Sequence, residues 1–162
     1  MEGSKTMNSR FWLDYADDYA KRNTTCNKTA VGCVIVKEDD CGGYQLIAQG
    51  ANKGMIDCHK VGCLRVQIFG NNSKAHRDIC RCRHSEINAL REARESVVGA
   101  TAIVTRYPCD DCAQALVEAG IKRVIYGREF KISEFAEKLF ANNNIDVIHF
   151  SNWNCDKKDT NN

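Results

Sequence analysis

The last third of the chain constrains the fold more than any other stretch. β-like runs at residues 101–106, 121–126 and 144–150 alternate with runs of helical spacing at 109–119 and 131–141. Strands joined by a packed helix run parallel, and such crossovers cover a sheet with helices. Within 131–141, Ile132, Phe135, Leu139 and Phe140 form an apolar face, so the final connection reads as a packed crossover and the last two strands as parallel.

Upstream, residues 9–22 set Phe11, Trp12, Tyr15, Ala16, Tyr19 and Ala20 on one helical face, with Asn8 or Ser9 as the cap. Residues 31–37 and 44–49 flank "EDDCGG", whose Gly42 and Gly43 allow the turn of an antiparallel hairpin. A further helix is expected over 84–96. These elements predict an α/β protein with three layers, helix, sheet and helix, around a five-stranded mixed sheet. The stretch 50–82, rich in Gly, Asn, Cys and His, shows no period and is expected to be irregular. The polar end "SNWNCDKKDTNN", 151–162, is expected to fray. A chain of 162 residues suits one domain, with its core over about 10–150.

Ten cysteines are many for this length. The N-terminal "MEGSKTMNSR" has no apolar run, and "VGCVIV" and "RVIY" are too short to cross a bilayer, so a soluble, cytoplasmic protein is expected. In a reducing compartment such cysteines serve as thiols or metal ligands rather than as a disulfide framework. Cys33, inside a strand-like run, is expected to be a small buried residue. A formal net charge of +2 favours small substrates over nucleic acid polymers as partners.

Two motifs concentrate metal-ligating residue types. "CRCRHSEINAL" carries His84 at the start of a helical run and Glu86 two positions on; "YPCDDCAQAL" carries Cys109 and Cys112. Pro108 lacks an N–H that the first helical turn leaves unpaired, and so marks a helix start. Sulfurs three residues apart share one face of that turn, at the positive end of the helix dipole, which favours thiolate. If the two helix starts converge, one imidazole and two thiolates leave a fourth position of a tetrahedral Zn2+ open to water, the mark of a catalytic site. Glu86, beside the metal, is then the proton shuttle.

The pair H-x-E and P-C-x-x-C is the signature of zinc deaminases, and the chain resembles the deoxycytidylate (dCMP) deaminases over residues 10–150. "KRNTTCNKTAVGCVIV" is similar to that family's first loop and strand, "GANKG" to its G-Y-N-G segment, "HSEINAL" to its H-A-E-x-N-A, and "YPCDDCAQALVEAGIKRVIYG" to its metal-binding helix and following strand. Ala51, Lys53 and Ser85 depart from the family pattern. The resemblance implies a cytidine-deaminase-like fold and conversion of dCMP to dUMP with release of ammonia. It implies zinc ligation by His84, Cys109 and Cys112, proton transfer by Glu86 and nucleoside binding by Asn52. Lys28 and Thr29 would receive the 5′-phosphate, and Ser85 would influence contacts to the exocyclic amine.

"CHKVGC" and "HRDICRC" add ligand types inside 50–82. By resemblance a second, structural zinc is expected from Cys58, Cys63 and Cys80, with Cys82, Cys26 or His76 as the fourth ligand. The resemblance further implies dCTP or dTTP effectors, Mg2+ accompanying a dCTP effector, and a homo-oligomer, commonly a hexamer. Alternative readings are a dCTP or dual dCMP/dCTP deaminase, a tRNA adenosine deaminase, and a non-enzymatic zinc module that recruits a partner; an intact Glu86 argues against the last.

Overall fold

The computed structural model describes residues 9–129 and 131–153. Its centre is a five-stranded sheet of β1 (Gly32–Glu38), β2 (Tyr44–Ala51), β3 (Thr101–Arg106), β4 (Arg123–Arg128) and β5 (Asp146–His149), in the spatial order β2-β1-β3-β4-β5. β1 is antiparallel to both β2 and β3, whereas β3, β4 and β5 are mutually parallel, as the crossover pattern predicts. The parallel connections are α5 (Asp110–Glu118) and α6 (Glu134–Asn142). Because the strand order advances in one direction through same-handed crossovers, both helices lie on one face of the sheet.

The two faces have separate cores. Ala102, Val104 and Val124 alternate out of β3 and β4 to meet Ala113, Leu116, Ala136 and Phe140 on the α5 and α6 side. α4 (Ser85–Glu92) joins this side through Ala89. Val34, Ile103 and Ile125 point the other way, onto Trp12 and Ala16 of α1 (Ser9–Asn23). This is the expected three-layer architecture. Cys33 is fully buried, as expected of a core thiol.

Two glycines allow close contact between layers. A Cβ on Gly32 would lie 2.1 Å from the Ala16 carbonyl oxygen, and one on Gly50 would lie 2.3 Å from that of Ser85. The second approach seats the start of α4 directly on β2.

Several boundaries differ from the sequence reading. The helix expected over 84–96 ends at Glu92. Ala93 turns to extended geometry, and the chain leaves the helix axis in a way that packs Val97 on the core. α6 begins after Ser133, whose hydroxyl accepts from the Ala136 N–H at 3.1 Å, so Ile132 precedes the helix. Phe135 is 53% exposed and Ala136 takes the buried place, so the inward face of α6 is narrower than predicted. Likewise Phe11 is exposed on α1, while Trp12, Ala16 and Ala20 carry its packing. β5 is shorter than predicted because Asn144 adopts φ 55° and Ile145 bonds back to Phe140 O at 3.0 Å.

The stretch 50–82 is not irregular. β2 runs on to Ala51, and short helices α2 (Cys58–Val61) and α3 (Leu64–Phe69) lead into a 3-10 segment, Gly70–Ile79. Neither α2 nor α3 has a buried residue, so no apolar period announces them. The segment is instead pinned at its ends. Lys53 and Arg83 exchange both backbone hydrogen bonds at 3.0 Å, and the Cys58 N–H bonds Thr25 O at 2.8 Å. At the chain's end, Trp153 is buried in the α1-side core rather than frayed. The Asn8 cap and residues 154–162 lie outside the described residues.

Candidate active site

The starts of α4 and α5 converge at the carboxyl end of β3. His84 occupies the cap position of α4 in extended geometry, and Cys109 does the same for α5. Pro108 therefore precedes the cap rather than standing in the first turn, and still ends the chain's run from β3. Cys112 follows one turn later and is buried. Both cysteine sulfurs lie 3.4 Å from His84 Nδ1, and the three ligand atoms are all within 4.8 Å of one another. Zinc–sulfur and zinc–nitrogen bonds at a tetrahedral angle call for a sulfur–nitrogen separation of about 3.6 Å. The donor set and its spacing thus fit a tetrahedral Zn2+ with three protein ligands.

The electrostatics agree with a site built for a cation. The Cys109 thiol is lowered to about 4, first by the hydrogen bond from Cys112 and also by His84 and a backbone N–H, against the opposing effect of burial. Cys112 is pushed strongly upward by donating to Cys109 and by burial. His84 is raised, chiefly by its hydrogen bond to Cys109. One negative sulfur thus already faces the imidazole.

Glu86 points inward from the first turn of α4 and is only 4% exposed. Burial raises its carboxyl, while a backbone N–H, the His84 charge and the Ser85 hydroxyl pull the other way. Ser85 Oγ donates to Glu86 Oε2 at 3.0 Å and is itself fully buried. Among the described residues, the three-ligand group does not include Glu86. A carboxyl beside the metal position, coupled to Cys112 but outside that group, is placed to handle protons.

The remaining sequence candidates lie on the first loop, just after β2 and in the 58–82 segment. Asn52 is buried at 7% exposure; its Oδ1 accepts from Val31 N at 2.9 Å and its Nδ2 donates to Thr29 O at 3.0 Å. Its amide therefore fixes the loop that carries Lys28 and Thr29. Lys28 is exposed, and with Thr29 it lines a cavity of about 430 Å3 bordered by Asp17, Thr105 and Arg128. Cys26, Cys58, Cys63, Cys80 and Cys82 gather in one neighbourhood. Cys58 is raised by burial and by Cys63, Cys26 and Cys80; Cys82 is raised to about 11 by burial, Cys80 and Cys26. Among the described residues only the His84 group brings three ligand atoms within 4.8 Å. The His76 ring stacks on Phe69 at 3.7 Å.

Two residues at the site escaped the sequence reading. Asn88 Nδ2 donates to Ala51 O at 2.7 Å and to Arg83 O at 3.2 Å, fastening the residue before His84 to the end of β2. Arg106, the last residue of β3, donates to Thr29 Oγ1 at 3.3 Å. Strand parity was the available signal, since Arg106 shares the register of Ala102 and Val104 and hence the face bearing α4 and α5.

Comparison with known proteins agrees with this geometry. The sequence profile of the cytidine and deoxycytidylate deaminase zinc-binding region matches residues 7–128. The deoxycytidylate deaminase of Saccharomyces cerevisiae is 36% identical over 137 residues, 82% of this chain but 41% of that protein, so the chain spans about two fifths of that relative's length. The deoxycytidylate deaminase of Mycobacterium phage D29 is 33% identical over 124 residues, covering 74% of this chain and 93% of the phage protein. In fold, the chain is similar to the dCMP deaminase of cyanophage S-TIM5, solved in complex with dCMP and dUMP, with a TM-score of 0.64 at 23% identity, covering 85% of this chain and 93% of that one. No described helix is long and apolar enough to cross a membrane. By its profile match over most of its length, the chain belongs to the cytidine and deoxycytidylate deaminase family and carries that family's zinc-binding region.

Proposed function

We propose that this chain is a zinc-dependent dCMP deaminase, which converts dCMP and water into dUMP and ammonia. The observation that carries the reading is the approach of Cys109 and Cys112 to His84 Nδ1 at 3.4 Å, with buried Glu86 outside the three-ligand group. The names of the yeast and phage relatives support the substrate. His84, Cys109 and Cys112 hold the metal. When bound, zinc lowers the pKa of water to about 7 and so supplies a nucleophile at neutral pH.

The chain's own groups do the rest. Glu86 takes a proton from the attacking water and delivers it to N3 of the cytosine ring as oxygen adds at C4. It then carries the second proton, from the C4 hydroxyl, to the exocyclic nitrogen, so that the C4–N4 bond breaks, the C4 carbonyl forms and ammonia leaves. A raised carboxyl is suited to both halves of this transfer, because it can hold the proton between steps. Ser85 fixes the Glu86 carboxylate through its hydroxyl and affects the exocyclic amine by that route. Asn52 orients the nucleoside and holds the first loop, while Lys28 and Thr29 of that loop receive the 5′-phosphate. The neighbouring Cys26, Cys58, Cys63, Cys80 and Cys82 support a second, structural zinc that braces the 53–83 segment. The family resemblance extends the reading to dCTP and dTTP effectors, Mg2+ with dCTP, and a homohexamer.

The test offers dCMP, deoxycytidine, dCTP, CMP and tRNA to the purified protein while loss of the cytosine chromophore, or release of ammonia from tRNA, is followed. Fastest turnover of dCMP is expected. Equal or faster turnover of deoxycytidine refutes phosphate recognition, and preference for dCTP or tRNA replaces the substrate.

A further inference from the structure

Arg106 is the last residue of β3, three positions before Cys109. The alternation of side chains along β3 sends Ala102 and Val104 to the face covered by α4 and α5, and Arg106 shares their parity. It therefore rises from the sheet on the side where His84, Glu86 and Cys112 meet. Its guanidinium is half-buried and donates to Thr29 Oγ1 at 3.3 Å, so the end of β3 and the first loop are joined. Its neighbour in the parallel register is Arg128, which is engaged by Asp17 of α1 at 3.6 Å. Lys28 stands one residue from Thr29.

The electrostatic setting is unusual for a strand-end arginine. Arg106 is lowered from its ordinary value, first by burial and then by the charges of Arg128 and of Arg77, which comes from the 3-10 segment; Glu86 acts in the opposite sense. Positive charge from β3, β4 and the 58–79 segment thus converges near the carboxyl of the catalytic helix. A guanidinium fork matches two phosphate oxygens at once, which an ammonium on a flexible stem does not.

We infer that Arg106 is the residue by which this chain distinguishes a nucleoside monophosphate from the free nucleoside, its fork held by Thr29 and aimed at the 5′-phosphate of a cytosine nucleotide whose ring lies at Glu86. The inference rests on the nucleotide-deaminase reading above and adds a specificity residue to it. Lys28, exposed on the same loop, contributes charge, whereas Arg106 contributes direction. Thr29, besides the phosphate contact proposed above, positions the Arg106 fork through its hydroxyl.

The experiment measures kcat/KM for dCMP and for deoxycytidine in the wild type, Arg106→Gln, Arg106→Lys and Thr29→Val, and titrates each with dUMP and deoxyuridine to obtain binding without turnover. Hydrogen bonds to a charged group set the expected scale: the dCMP-to-deoxycytidine ratio should fall about tenfold to a hundredfold in Arg106→Gln. Arg106→Lys should recover part of the loss, and Thr29→Val should show a smaller loss in the same direction. The preference of the protein for binding dUMP over deoxyuridine should shrink in parallel. An equal loss on both substrates, or an unchanged ratio, overturns the inference. If Arg106→Gln does not fold, unchanged ratios in Arg106→Lys and Thr29→Val overturn it equally. A wild type that prefers dCMP while Arg106→Gln keeps that preference removes this inference alone. A wild type with no preference removes the phosphate reading as well.

Discussion

Two parts of the molecule gather metal-ligating side chains, and they do so by different physics. His84, Cys109 and Cys112 stand at two helix starts that rest on a fully packed sheet, and their ligand atoms meet within 4.8 Å. Cys26, Cys58, Cys63, Cys80 and Cys82 are carried by the first loop and by the 53–83 segment, where α2 and α3 have no buried residue. In the first place the core holds the ligands ready for an ion. In the second the ion would have to supply the order that a core normally provides. The second zinc proposed above would thus set organisation by metal beside preorganisation by packing.

The contrast breaks most visibly at the catalytic centre. Cys109→Ala should remove the triad's zinc and abolish turnover, with metal content falling by one ion per chain in elemental analysis. Glu86→Gln should keep the zinc and lose about 100-fold to 10,000-fold in kcat; a variant with normal turnover would remove the shuttle role. For the second region, Cys58→Ser combined with Cys63→Ser should lower zinc from two ions per chain to one and expose the 58–79 segment to proteolysis. A wild type that holds only one zinc would instead assign that segment's order to its backbone bonds.

Packing gives a smaller but sharper test of the same difference. Phe140 is among the largest fully buried side chains, so Phe140→Ala should destabilise the fold by about 3–5 kcal/mol. Ile68 of α3 is 66% exposed, and Ile68→Ser should change stability by no more than about 0.5 kcal/mol. Denaturant titration of both variants measures the pair.

The smallest effect is a pH dependence. Burial raises Glu86 in the folded state, so the native protein binds that proton more tightly than the unfolded chain does. Stability from this group is complete below the unfolded carboxyl value of about 4.3 and is lost as pH rises through the folded value. In metal-free protein, Glu86→Gln should therefore raise the melting temperature more at pH 7 than at pH 4. A gain that is larger at pH 4 reverses the sign and contradicts the burial argument.

The comparison also explains what could be read in the sequence. Crossover helices and parallel strands were legible because Leu116, Phe140, Val104 and Val124 impose a period on their elements. The zinc triad was legible because its spacing is local to two helix starts. α2 and α3 were not, since exposed Val61, Leu64 and Ile68 give no inward face to detect. The helix ending at Glu92 was overextended because Val97 serves the core from outside the helix. Trp153 was hidden in a polar tail whose neighbours give no sign of the pocket it fills. Arg106 was missed for a different reason: a charge at a strand end acquires meaning only when Thr29, far away in sequence, is brought to its tip.

The central claim is that one imidazole and two thiolates grip a tetrahedral cation whose fourth position is open beside Glu86. Cobalt(II) substitution tests it most directly, in protein carrying Cys58→Ser and Cys63→Ser so that the triad dominates the visible spectrum. The account predicts tetrahedral ligand-field bands with thiolate charge transfer, lost on Cys109→Ala and shifted when dUMP enters the open position. An octahedral spectrum, or thiolate bands that persist in Cys109→Ala and ignore dUMP, would contradict it.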